Sequence, residues 1–253
     1  MLLYLQLAFC ALALLSPSFG ATAALHNASG THPSLQIPNG EDTVAALPIR
    51  MTNPRFPKLK KKKSGSNIVL SICVSTNGIV KDPSVVRGDP ALVNAAIEAV
   101  RQWLYLPAMR HGEFVESTEQ VTIEYPGKKD FQPEEQAAGG LGEPPKDLLK
   151  DVADGTVLRV GKGTDVIPLR TTVAPDPQYT EEARINRVRG KVLLGVVVGS
   201  KGEVKSVWVV QGLEQSLDLA SIETVKGWKF SPASKNGEAV AVVVNLETSF
   251  DIY

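Results

Sequence analysis

The chain has 253 residues, room for one large domain or two small ones. Its 27 Lys and Arg balance 27 Asp and Glu, which leaves no basic excess for nucleic acid, and aromatic residues at 6% are too few for a ladder of stacked bases. Hydrophobic residues make up 43%, ample for a packed core.

Residues 1–15 are apolar apart from Gln6, and small residues follow from Ser16 to Ala24. This pattern reads as a secretory signal over residues 1–23, cut after Gly20 or Ala23. The leading region has no Lys or Arg, and the first charged residue is Glu41, so the alternative is an uncleaved inner-membrane anchor. Pro17 and its small neighbours make a poor spanning helix, which needs about 20 mostly apolar residues. Cys10 falls in the apolar run. With the signal removed Cys73 is the one cysteine left, and its run NIVLSICV makes it a buried packing residue.

Residues 24–53 are polar, with scattered Pro and Gly, and read as a tether. Lys58 and Lys60 to Lys63 then form a basic run, a solvated face or a contact with an anionic surface. Two apolar runs around Ser75-Thr-Asn-Gly78 predict a hairpin. Asp89 as cap and Pro90 at the first position then predict a helix that ends near Trp103, and STEQVTIEY predicts a strand. These elements give a first domain over residues 54–125.

Residues 126–156 carry Gly139-Gly140 and Pro144-Pro145, with seven acids against four Lys: a flexible acidic linker with a short helix near residues 146–152. The second domain is expected over residues 157–253, where LRV and VIPL could add an edge segment. Glu181 and Glu182 suit the first turn of a helix. The runs on either side of Ser200-Lys201-Gly202 predict a hairpin, with Gly202 at positive φ. A helix follows, its buried stripe expected at Leu219, Ile222 and Val225. In the closing strand Val242, Val244, Leu246, Thr248, Phe250 and Ile252 alternate with a wet row of Asn245, Glu247, Ser249 and Asp251.

The two halves repeat each other. Pro54-Arg-Phe-Pro57 matches Pro177-Gln-Tyr-Thr180, Gly78 matches Gly202, Val85-Val86-x-Gly88 matches Val209-Val210-x-Gly212, and Trp103 matches Trp228. The first copy departs at its opening helix, where KLKKKKSGS sets like charges at helical spacing. Both copies are expected to fold, the second more stably.

The second half resembles the C-terminal domain of the TonB family of energy transducers. The resemblance runs through Pro177-x-Tyr179, Ala183-Arg184, Gly190, Gly202, Leu217-Asp218-x-Ala220, Trp228-Lys-Phe-Ser-Pro232 and Asn236-Gly237 to Phe250. It implies an α+β class: two α-β-β-α-β domains, each an antiparallel three-stranded sheet packed against two helices. It also implies a periplasmic protein that docks on an outer-membrane TonB-dependent receptor by pairing a receptor peptide with a sheet edge, linked to transmembrane transport. The edge expected to accept the peptide is Val242, Val243, Val244, Asn245, Leu246, Glu247, Thr248, Ser249 and Phe250, with Arg184 as a second candidate surface.

No catalytic or metal-binding pattern occurs: His26, His32 and His111 are scattered, and neither a nucleophile motif nor a phosphate loop is present. Neither enzyme activity nor a cofactor is therefore expected. The competing reading is a structural periplasmic adapter that binds peptidoglycan or self-associates as a homodimer, favoured by the basic run.

Overall fold

The structure, a computed structural model, describes residues 43–57, 67–125 and 142–251. The expected signal, the basic run of residues 58–63, the opening helix of the first copy and most of the acidic linker lie outside these residues.

The first copy runs β1 (Thr43–Val44), β2 (Leu47–Arg50), β3 (Asn67–Val74), β4 (Val80–Arg87), α1 (Pro90–Val100), β5 (Leu104–Leu106), β6 (Ala108–Arg110), β7 (Glu113–Val115) and β8 (Ser117–Glu124). Then come α2 (Leu148–Ala153), β9 (Leu158–Arg159), β10 (Val166–Ile167), β11 (Arg170–Val173) and α3 (Glu181–Ile185). The chain ends with β12 (Gly190–Val198), β13 (Val204–Gln211), α4 (Gln215–Lys226), β14 (Lys229–Ser231), β15 (Ala233–Lys235), β16 (Glu238–Val240) and β17 (Val242–Phe250).

Each copy is built on an antiparallel sheet with its middle strand first in sequence: β4-β3-β8 in the first copy and β13-β12-β17 in the second. The class is α+β, as expected. The expected three-stranded plan needs one correction, because β9 adds a fourth strand to the second sheet, parallel to β17.

The start signals work as the sequence predicts. Asp89 accepts from the Ala91 N–H at 3.0 Å with Pro90 in the first turn, and Thr180 accepts from the Ala183 N–H at 3.3 Å. The helix α4 turns a different stripe inward than Leu219 implied. Leu217, Ser221 and Val225 are buried with Ile222 and Asp218, while Leu219 is exposed.

The repeat extends further upstream than its sequence signal. The pairs β1–β6 and β2–β5 recur as β10–β15 and β11–β14, with the same register slip. Residues 43–50, read as part of a tether, are thus strands of the first copy. Trp103 donates its indole N–H to Thr52 O at 2.9 Å, and Trp228 donates to Pro175 O at 3.1 Å. The edge-to-face pair Phe56–Tyr125 at 5.3 Å recurs as Tyr179–Phe250 at 5.7 Å. Gly78 and Gly202 are at φ 80° and 79°, and a Cβ on either would sit 2.0 or 1.8 Å from the carbonyl oxygen of Tyr105 or Phe230. Only glycine fits there.

The copies share one of two core clusters, and the other lies within the second copy. A single apolar cluster joins Ile49, Met51, Leu70 and Trp103 of the first copy to Val197, Trp208, Val210 and Val243 of the second, with Leu148 and Val152 of α2. Trp208 packs against Gly195, where a Cβ would meet the indole at 2.2 Å. Its N–H donates to Ile49 O at 2.8 Å, and beside it the Met51 N–H donates to Val210 O at 2.6 Å. The positions of the first copy that match Gly195 and Trp208 are Ser71 and Ser84, and Val86, which matches the buried Val210, is exposed. The second sheet is therefore built to be covered on this face, and the first is not.

Candidate functional site: the outer edge of the closing strand

The position of β17 follows from its alternation. Val242, Val244, Leu246, Thr248 and Phe250 face the helices and are buried, and Thr248 joins its hydroxyl to that of Ser221 at 2.9 Å. On the other side β17 pairs with β12 along its whole length, from Gly190↔Phe250 to Val198↔Val242.

The expected wet row is wet only towards its end. Val243 and Asn245 are buried against the first copy, and the Asn245 side chain donates to Pro48 O at 2.9 Å. Glu247 is half-buried and pairs with Lys191 of β12, and Ser249 is exposed. The alternation gave the correct faces. What it could not show is that the first copy covers the start of one of them.

The outer edge is also partly occupied. The Leu158 N–H of β9 donates to Ala241 O at 2.8 Å, and Leu158 and Arg159 stand opposite Val242 and Val243. Backbone groups of alternate residues point to opposite sides of a strand. The bond to Ala241 therefore makes Val243, Asn245, Glu247 and Ser249 the residues whose N–H and C=O turn to the outer edge. An earlier segment, not a later one, takes the first of these positions. Among the described residues no strand pairs with β17 on that side beyond Val243.

The strand β9 is fastened by its own side chain. Arg159 is buried, and its guanidinium donates to Pro107 O at 2.6 Å and to Ala45 O, both in the first copy. Burial pulls Arg159 down to about 10, against the nearby Glu119 carboxylate, so it stays charged at neutral pH. Burial pushes Glu119 up to about 7, opposed by hydrogen bonds from the Ser117 hydroxyl and the Ala46 N–H and by the charge of Arg159. A cleft of about 460 Å³ opens between the copies along β9, lined by Val44 and Met109 on one side and Leu158, Arg159 and Val166 on the other.

The second candidate surface, Arg184, lies in α3, where it is exposed and ion-paired with Glu181 at 3.6 Å. Cys73 is half-buried rather than fully buried, on the face of β3 that turns away from the core, and partial burial followed by the charge of Glu116 pushes its thiol up. The sequence reading missed Gly195, Trp208 and Arg159. A glycine inside a strand that faces a tryptophan across a hairpin marks a close approach, which could have found the first two. Arg159 sits in a two-residue strand that carries no periodic signal.

Residues 52–126 and 175–252 each match the family model of the Gram-negative bacterial TonB protein C-terminal, and together they span more than half of the chain. The chain belongs to this family. It carries two TonB C-terminal domains, and β17 is the closing strand of the second. A search of curated proteins found no match.

Proposed function

We propose that the second TonB C-terminal domain takes up an extended peptide of an outer-membrane receptor beside β17, and that the protein serves TonB-dependent transport from the periplasm. One observation carries this reading: the outer edge of β17 has backbone groups turned outward at Asn245 and Ser249, past the end of β9, with no strand of the described residues against them. Such an edge binds through main-chain hydrogen bonds, and flanking side chains set preference. On one flank a peptide would meet the half-buried Tyr179, which stands edge-on to the buried Phe250, and on the other Glu247 and Ser249. Membership of the family supports the link to transport.

The test is a pull-down of the full chain from detergent-solubilised outer membranes, set beside one on purified cell wall. Capture of a TonB-dependent receptor that a peptide of its periplasmic end competes away is the expected result. Retention on cell wall alone would transfer the chain to the adapter reading.

A further inference from the structure

We propose that β9 is a built-in competitor for the peptide edge, and that the first copy holds it in place through Arg159. This rests on the reading of β17 as the peptide-accepting edge. Three observations support it. First, β9 pairs with β17 for only two residues, so its own backbone bonds to the edge are few. Second, the chain around it is fastened elsewhere: the guanidinium of Arg159 is buried and donates to Pro107 O and Ala45 O, which belong to the first copy and not to the sheet that β9 extends. Third, the inter-copy cleft runs along Leu158 and Arg159, so space for the segment to move into already exists beside it.

The consequence is specific. With β9 in place, a bound peptide is confined to the stretch from Asn245 to Ser249. With β9 released, it also reaches Val243 and Ala241. A movement that separates the copies withdraws the acceptors from Arg159 and thereby lengthens the edge. The first copy would then act on the site without touching the peptide. This gives a role to a domain whose own face lacks the Gly195–Trp208 arrangement.

Two variants of the full chain test the proposal. Arg159→Gln removes the charge and shortens the reach, and Arg159→Met keeps the apolar stem and removes both hydrogen bonds, so that one of them serves if the other fails to fold. The first readout is amide exchange. The expected result is that the Leu158 N–H exchanges roughly tenfold faster or more in a variant, while the amides of β12 keep their protection. Unchanged protection at Leu158 in a folded variant would overturn the fastening. The second readout is titration with a blocked peptide of alternating Val and Thr, matched to β17 in length. In the wild type it should perturb the amides of Asn245 and Ser249 but not Val243. In the variants Val243 should join them, with binding about tenfold tighter, as expected for two further backbone hydrogen bonds. A peptide that perturbs Asn245 and Ser249 equally in all chains and never reaches Val243 would overturn the competition and leave the edge reading standing. A peptide that perturbs none of them in any chain would remove the edge reading itself.

Discussion

Trp228 is 2% exposed and donates its indole N–H to Pro175 O, so it closes the core of the second copy and ties down the segment that leads into it. Trp228→Ala is expected to cost about 3–5 kcal/mol in a denaturant melt, for the cavity and the orphaned carbonyl together. A loss near zero would contradict the burial. Glu119 makes a different kind of statement. Burial raises it to about 7 from an ordinary value of 4.5, so between those pH values the folded chain holds a proton that the unfolded chain has released. Stability should therefore fall as pH rises from about 4.5 to 7, by an amount on the order of 3 kcal/mol. Asp218, pushed up to about 6 by burial against the opposing hydrogen bond from the Leu213 N–H, adds to the same slope. Glu119→Gln should flatten the slope and be at least as stable as wild type at pH 8. Urea melts at pH 5 and pH 8 would show this, and an unchanged slope would contradict it.

At the scale of elements, β17 separates its two tasks by alternation. Its even residues build the core and bond to β12, and its odd residues turn their backbone outward. A proline at an outward position therefore removes an edge donor without cutting the ladder to β12. Ser249→Pro is expected to leave the circular dichroism and the melt close to wild type and to weaken peptide binding about tenfold or more. A folded Ser249→Pro chain that binds as wild type would remove main-chain pairing as the mechanism. Much of this element was legible in the sequence, because a period of two assigns faces directly. The helix α4 was less so: Leu219 looked like core, yet Leu217, Ser221 and Val225 are one turn apart and a small Ser can lie against Thr248. The two-residue strands β9 and β10 fall in the LRV and VIPL pieces that were expected to add an edge segment, but β1 and the pairing partner of each were not legible. These strands exist because tertiary neighbours pair with them, and nothing in two residues announces a partner.

At the scale of the molecule, the expectation of two domains joined by a flexible acidic linker does not reach the cluster that the copies share. The repeat itself was readable from Pro54, Gly78 and Trp103 against Pro177, Gly202 and Trp228. The packing of one copy on the other was not, because it depends on Ile49 and Met51 in a segment that looked like tether. Residues Trp208, Val210 and Val243 are almost wholly buried, and removing the first copy would expose them as an apolar patch. The full chain is expected to unfold in one transition, and the second copy alone to be less stable and to aggregate. Trp208→Ser, the residue that the first copy has at this position, should uncouple the copies into two transitions in a calorimetric scan. Two transitions in the wild type, with the second copy melting alone at the same temperature, would contradict the shared core.

The central claim is that β17 accepts a peptide on its outer side. The most direct measurement is an NMR titration of the isotope-labelled full chain with a synthetic peptide from the periplasmic end of a TonB-dependent receptor. The account predicts that the amides of Asn245, Glu247 and Ser249 shift and become protected from exchange, with smaller changes at Tyr179 and Phe250. Shifts confined to the helical face around Arg184 and Ile185, with β17 unmoved, would contradict it.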